Sequence, residues 1–255
     1  MEKITYKLQT LSSLIVSPRN TMAWYETLGA YSEEDVRVSL DEKRLPNTPN
    51  IIYPFYQYGE YDKYDPKHAE YYLPGSSIKG ALCSMQKEHG EFIMVDDIKI
   101  ENEYIELRNL FKAQGIQEST PKWDYYFDGL GIEMIKEDEG FQGTIFADTK
   151  ERMYEVLKNA SILTQEKIKQ MILYLNSLKT VEEDKNREFL NGVDSVIAAL
   201  KNFQRKENVI IMGGYKGFLH SLKIDGDINE KEIASALYID PITSCPHGFV
   251  KIEIY

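Results

Sequence analysis

Pro74-Gly75-Ser76-Ser77-Ile78-Lys79-Gly80 places a turn former, two small hydroxyl residues and a lysine where an apolar helical pattern begins. The chemistry this arrangement suits is anion binding. The first N–H groups of a helix lack internal partners and sit at the positive end of its dipole, so a phosphate can accept from them. Pro74 fixes its own φ, and Gly75 admits backbone conformations closed to other residues. Gly80, one turn in, leaves room for another chain or a sugar to approach. The order does not match the glycine-lysine loop of nucleotide-binding folds, so ATP and GTP are not expected. A well-capped helix with a tight lead-in turn is the competing reading.

Gly213-Gly214-Tyr215-Lys216-Gly217-Phe218 follows directly on the apolar run Val209–Met212. A glycine pair after a buried strand can turn backbone amides outward as an anion-binding nest. Tyr215 and Phe218 add ring faces, and Lys216 adds charge. A strand-to-helix turn with core aromatics is the alternative. Two such turns, each with a lysine, favour a phosphodiester backbone over one small anion.

Acid–base chemistry is less well provided for. Of the four histidines, His68, His89, His220 and His247, His220 is best placed, just past the second glycine turn, where a helical or phosphate-contacting role competes with catalysis. Asp96 and Asp97 are adjacent, so on a strand they point to opposite faces and chelate poorly. Glu137-Asp138-Glu139 reads as a charged turn. The residues weigh against an enzyme, and no metal or small-molecule cofactor is expected.

Several elements must position the two turns. Lys3–Gln9 alternates strictly, with Ile4, Tyr6 and Leu8 on one face, which predicts a half-buried strand. Ile78, Ala81, Leu82 and Met85 share a helical face, which predicts a helix from Ser76, capped by either serine, to near Gly90. Residues 92–95 read as a buried strand and 140–147 as another. Thr149 caps a long helix to about Leu178, whose apolar face includes Met153, Val156, Leu157, Ala160, Ile168, Met171, Ile172 and Leu175. Val193, Val196, Ile197, Leu200 and Phe203 mark a second helix, after the charged stretch 181–188, which reads as a solvated connection or first helical turn. The C-terminal Phe249–Tyr255 alternates again. Strands at both ends with helices between predict an α+β sheet pairing distant segments. Residues 19–50 read as an irregular excursion.

The chain has 255 residues, enough for one compact unit, and a formal net charge of −11 from 41 acidic and 30 basic residues. That balance argues against free, non-specific nucleic-acid binding but leaves room for a local basic groove. The two cysteines, Cys83 and Cys245, form no metal-ligand spacing, and the start of the chain does not read as a signal peptide, so a cytoplasmic location is expected without a membrane span. The tyrosine-rich window 51–75 reads first as rings covering a sheet and second as a base-stacking surface.

Taken in order, YKLQTLSSLIV, YLPGSSIKGAL, FIMVDDIKI, FQGTI, IIMGGYKGFLHSL and PHGFVKIEI resemble the RAMP superfamily of CRISPR-associated proteins. The closing strand and glycine loop most resemble the Csm-type subunit that caps one end of a type III-A effector. The resemblance implies a ferredoxin-like (RRM-like) core, single or as two related halves, over one domain of 1–255 with a helical insertion at about 149–205. It implies a non-catalytic subunit of an antiviral ribonucleoprotein, with CRISPR RNA and other RAMP subunits as partners, holding the guide backbone near its 3′ portion. Carried over by motif, Gly75, Ser76, Ser77, Lys79 and Gly80, with Gly213, Gly214, Tyr215, Lys216 and Gly217, would line the RNA groove. The sequence departs from the pattern at Arg19-Asn20, where glycines are usual, and at Cys83, where an arginine is common. Backbone subunits of such complexes cut RNA with a loop aspartate, and Asp35 and Asp41 lie in a comparable excursion without a matching motif. An endoribonuclease, or a protein-interaction subunit whose RNA groove has decayed, are the alternatives.

Overall fold

The structure, a computed structural model, describes residues 1–18, 25, 26, 36, 45–84, 92–116, 119–127, 129–181, 187–213 and 236–255. Its central sheet is built around β1 (Glu2–Thr10). β11 (Gly140–Ala147) pairs antiparallel on one side and β15 (Phe249–Ile254) on the other. The edges are β5 (Ile93–Val95) beside β11 and β12 (Val209–Ile211) beside β15, giving the order β12-β15-β1-β11-β5. The first and last strands, each expected from its alternation, therefore meet as neighbours.

Ile4, Tyr6 and Leu8 are buried on one face of β1, while Lys3, Thr5, Lys7 and Gln9 stand on the other. Tyr6 lies opposite Gly143 on β11, and its ring occupies the space a side chain would need there. α1 (Gly75–Leu82) and the first half of α2 (Lys150–Val181) cover the apolar face, with Ile78, Leu82, Met153, Val156 and Leu157 in one core with Tyr6 and Leu8. Thr149 starts α2 by accepting the Arg152 N–H on its hydroxyl at 3.2 Å. With 32 residues α2 is about 48 Å long, and its second half leaves that core for another. There Ile168, Met171 and Leu175 pack with α3 (Arg187–Gln204) through Val193, Val196, Leu200 and Phe203.

Between β5 and β11 lies a run of strands that sequence reading did not pick out. β7 (Ile105–Asn109), β8 (Phe111–Ile116), β9 (Ser119–Tyr125) and β10 (Leu130–Ile135) divide between two further sheets, with β8 and β9 paired as a hairpin. β10 pairs with β7 and with β3 (Ile51–Tyr53), and β8 with β9 and β13 (Ala236–Asp240). β4 (Tyr71–Leu73), which leads into α1, pairs with β6 (Ile98–Ile100), and Leu73 and Ile98 share a core with Ile78 of α1. The whole is a mixed fold of helices and mostly antiparallel sheets.

Two expectations need correction. β5 is an edge strand, not a buried one: Met94 is 54% exposed and Phe92, just before it, 39%. α1 ends at Leu82 rather than near Gly90: Cys83 is the C-cap and donates its N–H to the Lys79 carbonyl, and Met85 and Gly90 themselves lie outside the described residues.

Candidate functional site

α1 begins where the glycine-serine motif predicts, but the reasons differ in detail. Pro74 is the N-cap, and its carbonyl accepts from the Ser77 N–H at 2.9 Å and the Ile78 N–H at 3.3 Å. Neither serine side chain caps the helix. Gly75 is required by space rather than by an unusual backbone angle, since a Cβ would come within 2.0 Å of the Val95 carbonyl oxygen. The start of α1 is thus pressed against the end of β5.

That closeness brings an acid to the helix start. Asp97, between β5 and β6, accepts the Gly75 N–H on Oδ1 at 2.7 Å. One amide that a phosphate would use is therefore already satisfied by a carboxylate, which also complements the positive end of the helix dipole. Ser76 and Gly80 remain exposed, Ser77 and Lys79 are half-buried, and the space a Gly80 Cβ would enter is empty. The Cys83 thiol, in place of the arginine common in the resembling family, is held above its ordinary range by burial, with Lys79 pulling it the other way.

The second turn is rooted in the same core. α1 packs against β12, and Ile78 and Leu82 share their cluster with Leu14, Val16 and Met212. Gly213 follows at φ +93°, a conformation that favours glycine, with the Ile15 carbonyl oxygen 2.2 Å from where a Cβ would stand. Gly214, Tyr215, Lys216 and Gly217 lie outside the described residues, as do His220, Asp35, Asp41, Arg19 and Asn20. The structure brings α1 and the base of the glycine turn to one core.

Around Gly213 three chain segments are locked together. The Met212 N–H donates to the Gly248 carbonyl at 2.9 Å, and the Gly248 N–H to the Ser13 carbonyl at 2.8 Å. Phe249 donates its N–H to Ser12 Oγ at 3.0 Å, and Ser13 Oγ shares a 2.6 Å hydrogen bond with His247 Nδ1. Gly248, at φ +93°, lets the Met212 carbonyl approach. The Pro-His-Gly-Phe stretch and the paired serines after β1 are thus one fastening. His247 is buried in it and pushed down to about 4, chiefly by burial, with Asp240 opposing that trend.

Two buried polar clusters escaped sequence reading. Arg108, 2% exposed, reaches Asp240 at 2.7 Å, Glu106 at 2.7 Å and Glu137 at 2.9 Å. Glu133 accepts from the Tyr71 hydroxyl at 2.5 Å and the Phe55 N–H at 2.9 Å, and burial pushes its carboxyl up to about 7. Only Arg108 within an alternating strand and the acids of the 137–139 turn hinted at the first. Of the tyrosine window, Tyr64 and Tyr71 are buried, while Tyr58 is 56% exposed and stacks on Tyr72 with centroids 4.3 Å apart. Packing accounts for most of that window. Among the described residues no three His, Cys, Asp or Glu side chains are grouped to hold a metal ion, and no helix is long and apolar enough to cross a membrane.

No family model and no curated protein matches this sequence. The fold is similar to a chain in the cryo-EM structure of a Csm–crRNA–target RNA ternary complex of a type III-A CRISPR-Cas system. The TM-score is 0.52 at 11% identity, and the match covers 98% of this chain and 100% of that one. At that identity the likeness concerns the fold.

Proposed function

We propose that this chain is a non-catalytic RNA-holding subunit of a type III, Csm-like CRISPR effector, seated on the guide backbone near its 3′ portion and capping the filament. The observation that carries the proposal is the fold likeness over nearly the whole of both chains to a component of an RNA-guided complex. The order β15-β1-β11-β5, with α1 before β5 and α2 and α3 after β11, supports a ferredoxin-like core. On this reading 1–255 is one RAMP-like domain, and the helices of 149–205 are its insertion. Gly75, Ser76, Ser77, Lys79, Gly80 and the turn Gly213–Gly217 are the guide-contacting residues. An acidic exterior then suppresses stray RNA binding and leaves recognition to the assembled groove.

One observation favours a second reading, a protein-interaction subunit with a decayed groove: the Asp97 carboxylate sits on the Gly75 amide. The endoribonuclease reading gains nothing from the described histidines. His68 pairs with Asp65 at the surface, and His247 is buried against Ser13. Binding of labelled repeat RNA across a salt series separates the first two readings. Lys79→Ala with Lys216→Ala should weaken binding and flatten its salt dependence, and Asp97→Asn should tighten it several-fold. No change in any of the three supports the decayed groove instead.

A further inference from the structure

We propose that the part of the central sheet's second face left open by the α2–α3 core, on the side away from α1, is a second surface for the sugar-phosphate backbone of single-stranded RNA. The inference rests on the RNA-binding reading above and adds a site that the two glycine turns do not supply. Lys3, Thr5, Lys7 and Gln9 of β1 project there, beside Gln142, Thr144 and Phe146 of β11 and Lys251 and Glu253 of β15, all exposed or half-exposed. The register sets Lys7 between Gln142 and Glu253, and Gln9 beside Lys251.

On a chain of net charge −11 this face carries three lysines and one glutamate. Lys251 is engaged by Glu253 at 2.5 Å, and Lys7, across the strands from Glu253, also helps to hold that carboxyl below its ordinary range. Toward β12 the face runs into a cleft of about 490 Å³, walled by Gln9, Lys206, Glu207, Asn208, Lys251 and Glu253. Its far wall is fixed: Asn208 takes a positive φ of 57° and its carbonyl accepts the Ile252 N–H at 3.1 Å. The volume falls within the usual range of small-ligand pockets.

The residue types select the ligand. Lysines suit phosphates, and the Thr and Gln side chains between them suit ribose hydroxyls. Phe146, with exposed Met94 of β5 opposite it at one edge, is the one aromatic among these strand side chains, too few for a base-stacking ladder, so the face reads backbone rather than sequence. A protein interface would instead have an apolar centre depleted in lysine.

The test uses the full chain and a labelled oligouridylate over a salt series. The triple variant Lys3→Gln, Lys7→Gln, Lys206→Gln should bind more weakly, with a log–log salt slope shallower by about 2. The Lys→Arg triple at the same positions should bind as the parent does, and both should melt at the parent temperature. If the Gln triple binds as the parent while Lys79→Ala weakens binding, this inference falls and the earlier reading stands. If the parent itself fails to bind at low salt, both fall. If the Gln triple keeps RNA affinity but no longer joins its neighbouring subunits, the face is a protein interface and the inference is wrong.

Discussion

Glu133 sits within β10 with its carboxyl pushed up to about 7 by burial, although the Tyr71 hydroxyl and Phe55 N–H pull it down. In the unfolded chain it would titrate near 4.5. Between those values the folded protein holds a proton that the unfolded chain releases, so stability falls as pH rises through the window. His247 works in the opposite sense. Its folded value of about 4 lies below its ordinary 6.5, so the unfolded chain binds the extra proton and stability rises with pH between them. In the parent the two slopes offset one another where the windows overlap. Glu133→Gln should therefore unmask a rise on the order of 3 kcal/mol between about pH 4 and 6.5 relative to the parent, measured by urea unfolding at each pH. Identical pH profiles for the two proteins would contradict this account of the buried carboxyl. None of it was legible in the sequence, because Glu133 meets Tyr71 across 62 residues and Phe55 across 78. Arg108 and Asp240 are 132 apart. Local spacing carries no record of such meetings.

At the scale of elements, the parts with local periodicity were readable. β1, α2 and α3 follow directly from their apolar spacing, and the predicted core faces are buried or nearly so. The strands from β7 to β10 were not, since they are short and their partners lie elsewhere in the chain. The edge position of β5 was hidden for the same reason: a run such as Phe92–Val95 looks buried until its neighbours are known. The glycines were legible as turns but not as contacts. Gly143 is the sharpest case, because a Cβ there would lie 2.4 Å from the Tyr6 ring and hydroxyl. Gly143→Ala should cost about 1–3 kcal/mol by overpacking β1 against β11. In a Tyr6→Leu background the same change should cost clearly less, as a double-mutant cycle would read. Equal costs in both backgrounds would mean that Tyr6 does not set the need for glycine.

The molecule as a whole joins an acidic composition to a fold similar to that of a chain in a Csm–crRNA–target RNA complex. The motifs that suggested this lie on or beside the central sheet: the start of α1, the fastening of Ser12 and Ser13 with Gly248 and Met212, and the root of the glycine turn at Gly213. In the sequence the candidate site was legible as two turns. Its electrostatic detail was not, because Asp97 reaches Gly75 only once β5 and α1 are packed. The most direct test is to sequence the RNA and identify the proteins that co-purify with the tagged chain from its native cells. The account predicts short guide RNAs carrying a repeat-derived segment, together with the other subunits of a type III effector. Recovery of those subunits without guide RNA, or of neither, would contradict it.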